Sequence, residues 1–226
     1  MKLFYFVALL LLSVTLLSAQ NSSDPVPVPV EQEPYHHTVF KNEYVLVMQV
    51  SIPEGERSLY HIHPRDRMSV TLSSTNISQQ KLNEAEGPST RVKPGDISVQ
   101  TADATPWIHR VHTFGPGSFE VLDVEFFQRP KQPSTSVAGQ VAAENPSARL
   151  YQWKLAPGTT SAMHTHERPY LIIAVDRMPL KMTAPDGQSG SHEIQAGDFH
   201  WVDSKVTHSL TNEGTTEGEI VEVELK

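Results

Sequence analysis

Histidine carries most of the chemistry this sequence can offer, and its spacing is regular. His61-Ile62-His63 and His164-Thr165-His166 are two His-x-His steps. On a β-strand, residues i and i+2 face the same side, so each step can present two imidazoles to one point. Neutral imidazole ligates first-row transition metals, and two of them on one face begin a metal site. Gly55 and Gly158 stand six residues before the two steps, and a lone histidine follows each, His109 and His208. The chain has 11 His and no Cys, which excludes disulfides, cysteine-based zinc sites, iron–sulfur clusters and thiol nucleophiles. It also lacks a nucleophile elbow, a P-loop and a dinucleotide glycine pattern.

These landmarks belong to a duplication. Val45–Ile52 stands against Ala148–Leu155, Pro94-Gly95-Asp96 against Ala196-Gly197-Asp198, and Val121–Phe126 against Ile220–Leu225. His109 precedes Gly115 by the same interval as His208 precedes Gly214. Landmarks matched in the same order mark an internal repeat. Within each copy the apolar runs are short, several alternate with period two, and Gly, Pro, Asp or Ser bound them (MSVTL, DISVQ, YLIIAV, GEIVEVEL). No helix-length segment carries a 3.6 period. The expectation is all-β: two small barrels, which hide strand edges by closing.

A Gly, five residues, His-x-His, then a Gly-Asp turn and a lone His about forty residues later resembles the two-part signature of the cupin superfamily, and two copies resemble a bicupin. The resemblance covers nearly all of the chain after its N-terminal segment. It implies two tandem double-stranded β-helix (jelly-roll) barrels in which each His-x-His and its lone His converge. It also implies one divalent transition metal, Fe, Mn, Zn, Ni or Cu, on His164, His166 and His208, and more weakly on His61, His63 and His109. The family's usual fourth ligand is a Glu four residues after the second His. Here that position is Arg67 in copy one and Tyr170 in copy two. A guanidinium beside three histidines opposes a cation, so Arg67 is expected either to bind an anionic ligand or to turn out and pair with Asp66. Tyr170 is neutral and can orient substrate or donate a proton. His200 is expected to line a substrate pocket. His36, His37 and His192 read as solvated, and Glu222 and Glu224, like Asp123 and Glu125, read as the polar face of a last strand.

The division expected is a signal segment at 1–19, a Pro-rich tether at 20–34, barrel 1 at 35–128, a linker at 129–146 and barrel 2 at 147–226. The leading function is a metal-binding bicupin, a dioxygenase or isomerase acting on a small oxygen-rich substrate. The alternative is a non-catalytic module for a carbohydrate or carboxylate, and the residues leave open whether the chain is an enzyme. A net charge of −8 gives no footprint for nucleic acid. Barrel packing also admits a homodimer. The apolar run Leu3–Leu17 is shorter than the roughly 20 residues of a permanent membrane anchor and ends at Ser18-Ala19. Export to a periplasm or the exterior, with cleavage after Ala19, is expected. N-terminal sequencing of exported material should begin at Gln20 or Asn21; an intact Met1 held in membrane would overturn this reading.

Overall fold

The computed structural model describes residues 26–103, 105–203 and 205–226, so the signal segment and the start of the tether lie outside the described residues. The described chain contains nineteen strands, one 3-10 turn and no α-helix. Barrel 1 is built from two five-stranded sheets. One runs β2 (His36–Lys41), β3 (Val45–Ile52), β10 (Phe119–Phe126), β5 (Arg67–Thr71), β8 (Ile97–Gln100). The other runs β1 (Val28–Pro29), β4 (His61–His63), β9 (Trp107–Gly115), β6 (Thr75–Lys81), β7 (Thr90–Val92). Barrel 2 repeats the first order as β11 (Val141–Glu144), β12 (Ala148–Leu155), β19 (Gly218–Leu225), β14 (Tyr170–Ala174), β17 (Phe199–Val202). Its second sheet has four strands, β13 (His164–His166), β18 (Val206–Asn212), β15 (Met178–Thr183) and β16 (Ser189–Ile194). The duplication therefore extends to strand order, with β1 the addition that makes barrel 1 larger.

The main apolar core lies between the barrels rather than inside either one. Met68, Val70, Leu122 and Val124 of barrel 1 pack in one cluster with Leu150, Leu171, Ile173, Val221 and Val223 of barrel 2. Strand alternation then sends the intervening residues inward: Arg67, Ser69 and Thr71 on β5, and Asp123 and Glu125 on β10, all buried. The two Gly-Asp turns each abut the other barrel. Gly95 has φ +83°, and a Cβ there would collide with the Glu219 carboxylate; one at Gly197, φ +87°, would meet Leu72 at 3.3 Å. Both positions need glycine for conformation and for close approach.

Two segments differ from expectation. The tether was expected to stay outside any sheet because of its prolines. Val28–Pro29 nevertheless adds in parallel to His61–Ile62, which is feasible because Pro29 sits on an outer edge and the strand is only two residues long. Val30 and Glu33 follow and are buried. In the expected linker, Val141–Glu144 pairs with β12, so the ordered sheet of barrel 2 starts before residue 147.

Asp66 ties this junction together. Its carboxylate accepts from Ala102 N–H at 2.7 Å, Ser147 Oγ at 2.7 Å and Arg129 Nη2 at 2.6 Å. Burial alone would raise its pKa; these partners outweigh it and hold the carboxyl below the ordinary range. A depressed pKa contributes stability that is present above the unfolded value near ~3.9 and lost as pH falls through the folded value. Asp66→Ala should cost about 3 kcal/mol in urea unfolding, because it removes a buried charged acceptor. The wild-type advantage should vanish in acid below pH ~4; an unchanged midpoint at pH 7 would refute the assignment.

Candidate metal centre

In barrel 2 the period-two alternation of β13 turns His164 and His166 inward, and the antiparallel register sets His164 opposite His208 on β18. All three are buried, as is Glu222 on β19. Glu222 stands where the three imidazoles meet: His164 Nε2 is 3.1 Å and His166 Nε2 3.2 Å from Oε2, and His208 Nε2 is 3.1 Å from Oε1. Ligands about 2.1 Å from one ion and at right angles to it stand roughly 3.0 Å apart. Three nitrogens and a carboxylate at this spacing fit a single first-row ion. His166 Nε2, both ring nitrogens of His208 and Glu222 Oε1 are buried without a hydrogen-bond partner, which a purely structural polar cluster would not leave.

The neighbouring contacts hold these rings in ligand form. His164 Nδ1 faces Ala162 O at 2.9 Å, and His166 Nδ1 faces Glu224 Oε2 at 3.2 Å. Glu224 is fixed in turn by Tyr151 O–H and by the backbone N–H groups of Glu167 and Arg168. The Trp153 indole donates to Glu222 Oε2 at 2.6 Å and stacks on His164. Such outer contacts set ring tautomer and orientation in metal sites. Tyr170, at the position where the family carries Glu, lies flat on His166 with ring centroids 3.9 Å apart. Burial, then the charges of Glu222 and Glu224, push its pKa further up, so the phenol stays protonated.

Glu222 and Glu224 are thus a correction to the sequence reading, which gave them no role beyond the polar face of a last strand. The physical reason is the buried twin interface: Val221 and Val223 occupy the outward side, so the carboxylates must point in. The sequence carried a hint of these carboxylates, though not which face of the strand is interior. A missing Glu at the usual position, with an acidic i, i+2 pair repeated on both last strands, invited a search for the carboxylate there.

A cavity of about 920 Å³ opens from His208. Ile172, Leu180, Met182 and Ile220 form its apolar wall, and Gln188, His192, His200 and Thr207 its polar points. His200 reaches it because Ile172 is its cross-strand partner, while Phe199 and Trp201 turn toward the inter-barrel core. No lysine or arginine lines the cavity among the described residues, and Tyr170 is set back from its wall.

Barrel 1 brings its expected residues together on different terms. His61 pairs with His109 in register, with ring centroids 4.6 Å apart, and His63 is 5.2 Å from His109. Arg67 neither turns out to Asp66 nor waits for a ligand. It is buried, and its Nε donates to Asp123 Oδ1 at 3.1 Å, Asp66 being occupied by Arg129. The remaining cavity, which Arg67 lines, is about 130 Å³, so the expected anion contact has little room and shares its guanidinium with Asp123. Glu125 accepts from Arg65 at 2.7 Å and stands 2.9 Å from His63 Nδ1; burial and then the Asp123 charge raise its pKa to about 7. Burial, together with neighbouring imidazoles and Arg67, lowers His61 to about 3 and His63 and His109 well below the usual imidazole value. His36 is the second correction. It is buried, 2.5 Å from buried Glu33 and 4.4 Å from the His61 ring, whereas His37 and His192 are exposed.

Two antiparallel barrels, each with a His-x-His strand registered against a lone-His strand, decide the architecture. The fold is a tandem cupin. AerE from Microcystis aeruginosa superposes with TM-score 0.61 at 14% identity over 89% of this chain and 98% of its own. YhaK from Escherichia coli gives 0.60 at 9% identity over 84% and 93%. An oxalate decarboxylase gives 0.57 at 13% identity over 84% of this chain and 71% of its own. At these identities the likeness is one of fold. No protein-family model matches this chain. No curated protein matches it in sequence.

The charge balance of barrel 2 gives a pH test on metal-free protein. Burial lowers His166, but its contacts with Glu222 and Glu224 outweigh that and raise it to about 9. A raised pKa contributes stability fully present below the unfolded value near ~6.5 and lost as pH climbs through the folded one. The Tm of chelator-treated bicupin should therefore fall between pH ~6.5 and ~9.5, and Glu222→Gln should flatten that fall. A pH-independent Tm in the chelated wild type would refute the ion-pair geometry.

Proposed function

We propose that this bicupin is an exported, metal-dependent enzyme of the dioxygenase or isomerase type, with its reaction centre in barrel 2. The carrying observation is the convergence of His164, His166, His208 and Glu222, one of which, His208, also lines the 920 Å³ cavity. Two buried carboxylates, with no lysine or arginine side chain on either among the described residues, leave a charge that a divalent cation would offset. A carboxylate in the ligand set suits manganese or iron as well as zinc, nickel or copper. Manganese also has the support of the Mn(II) centres named for the Bacillus subtilis oxalate decarboxylase, which superposes with TM-score 0.52 at 14% identity. When bound, the ion would supply Lewis-acid polarisation or, if it is iron, dioxygen activation.

The chain's own residues determine the rest. Glu224 and Ala162 O keep two ligand rings oriented, and Tyr170 fixes the plane of His166 by stacking. Set back from the cavity, Tyr170 is a positioning residue in this reading. His200 and His192, on the cavity wall, can hydrogen-bond a substrate's oxygen atoms. The apolar wall and the lack of basic side chains favour an uncharged molecule with an apolar body over a dianion such as oxalate. In the non-catalytic alternative, a module for a carbohydrate or carboxylate, the Arg67–Asp123 pair counts against Arg67 as the carboxylate contact and leaves the carbohydrate form untouched.

Metal analysis and ligand competition test the reading. Reconstituted with Mn2+, the full chain should retain about one ion per molecule. His164→Ala and Glu222→Gln should lose it, and Glu224→Gln should bind it about 10–100-fold more weakly. On copper-loaded protein, catechol should perturb the ligand-field spectrum through Glu222-dependent binding, whereas oxalate should not. Retention of no first-row divalent ion on His164, His166, His208 and Glu222, or oxalate binding more tightly than catechol, would overturn the proposal.

A further inference from the structure

Barrel 1 contains a second cluster of imidazoles, and one of them comes from outside the repeated pattern. His36 on β2, with His61 and His63 on β4, can each offer one ring nitrogen, the three atoms lying within 4.8 Å of one another. In each ring Nδ1 is already engaged by an acceptor: His36 with Glu33 Oε2 at 2.5 Å, His61 with Leu59 O at 2.9 Å, His63 with Glu125 Oε1 at 2.9 Å. An Nδ1–H donated to a carboxylate or carbonyl leaves the Nε2 lone pair free, which is the arrangement that orients imidazole toward a metal. Nε2 of His61 and of His63 are buried with no partner, as are both ring nitrogens of His109 beside them. Core histidines kept for packing alone would not leave four such atoms unpaired in one place.

Charge permits a cation here in spite of Arg67. Asp123 neutralises Arg67, and Arg65 pairs with Glu125, which leaves Glu33 as the one buried carboxylate facing the cluster without a guanidinium. We propose that barrel 1 holds an imidazole-only metal site closed by His36, selective for zinc or copper over manganese. The ligand class sets the selectivity: imidazole suits zinc and copper, while manganese favours a set with carboxylate oxygen. His36 is carried by the segment that adds β1 to β4 and buries Val30. An ion on His36 would therefore also fasten the N-terminal segment to the barrel. This site is independent of the one in barrel 2, and the two can fail separately.

Metal-free full-length protein titrated with Zn2+ should take up two ions per chain, and with Mn2+ one. His36→Gln should remove one zinc and leave the manganese site intact; Glu222→Gln should do the reverse. Chelation of the barrel 1 ion in Glu222→Gln should speed proteolytic cleavage between residues 26 and 36, and Zn2+ should restore protection. If His36→Gln does not fold, Glu33→Gln keeps the ligand and should weaken that zinc about 10–100-fold. A wild type with one zinc that disappears in Glu222→Gln would overturn the barrel 1 site while sparing barrel 2. A zinc stoichiometry of two that survives loss of His36 would overturn it as well. A single zinc lost only with His36 would support it and count against barrel 2.

Discussion

The organising constraint is that the central strands of the sheets β2-β3-β10-β5-β8 and β11-β12-β19-β14-β17, β10 with β5 and β19 with β14, are buried on both faces. Each turns one face toward its twin and the other into its own barrel. Val45, Val47, Leu122 and Val124 pack on Leu150, Leu171, Val221 and Val223, which makes the centre of the twin-facing side apolar. Alternation then delivers every other residue of those strands into a barrel. The strands are apolar on one side and charged on the other, which would suit a sheet with one face in water. Here the charged side is interior, so its charges must find partners, because unpaired buried charge is very costly.

The two barrels meet that demand differently. In barrel 1, Arg67 is a fixed internal cation, and Asp123, one methylene shorter than its counterpart Glu222, meets it at 3.1 Å. In barrel 2, Tyr170 brings no charge, and the longer Glu222 reaches all three imidazoles. Arg with Asp, and Tyr with Glu, are thus matched pairs. Exchanging one member alone would place a guanidinium against the His–Glu cluster, or strand a carboxylate in barrel 1. Cavity volume follows the same division: about 130 Å³ around Arg67 and about 920 Å³ beyond His208.

Short alternating runs, turn residues and the repeated His-x-His made the two barrels legible in the sequence. Period-two geometry put His164 and His166 on one face, and the cupin resemblance, not the spacing, implied that His208 would meet them. Glu222 was not legible, because a period-two pattern says that two faces differ without saying which is inside. That choice depends on a second barrel covering the apolar face, a long-range fact no local window carries. His36 was missed for a related reason. Its neighbourhood has the proline-rich composition of a tether, and only the pairing of β1 with β4 draws it in. Arg67 was read with two fates, and the structure gave it a third, since Arg129, 63 residues along the chain, had already taken Asp66.

A carboxylate on β19 differs in consequence from one on the His-x-His side of the barrel. Glu222 sits between Val221 and Val223, both locked in the inter-barrel core, and it is paired on both sides, with Tyr151 on β12 and Ile172 on β14. Its side chain is held further by the Trp153 indole. Such a group has few conformers to lose when it takes a ligand, and its position is set by the packing of one barrel on the other. The three histidines lie on β13 and β18, in the barrel's other sheet. The site is therefore assembled across the barrel interior, between a sheet anchored by its twin and one that also borders the open cavity. Preorganisation on the anchored side with access on the other is the combination that allows a buried ion to be held firmly while a substrate still reaches it.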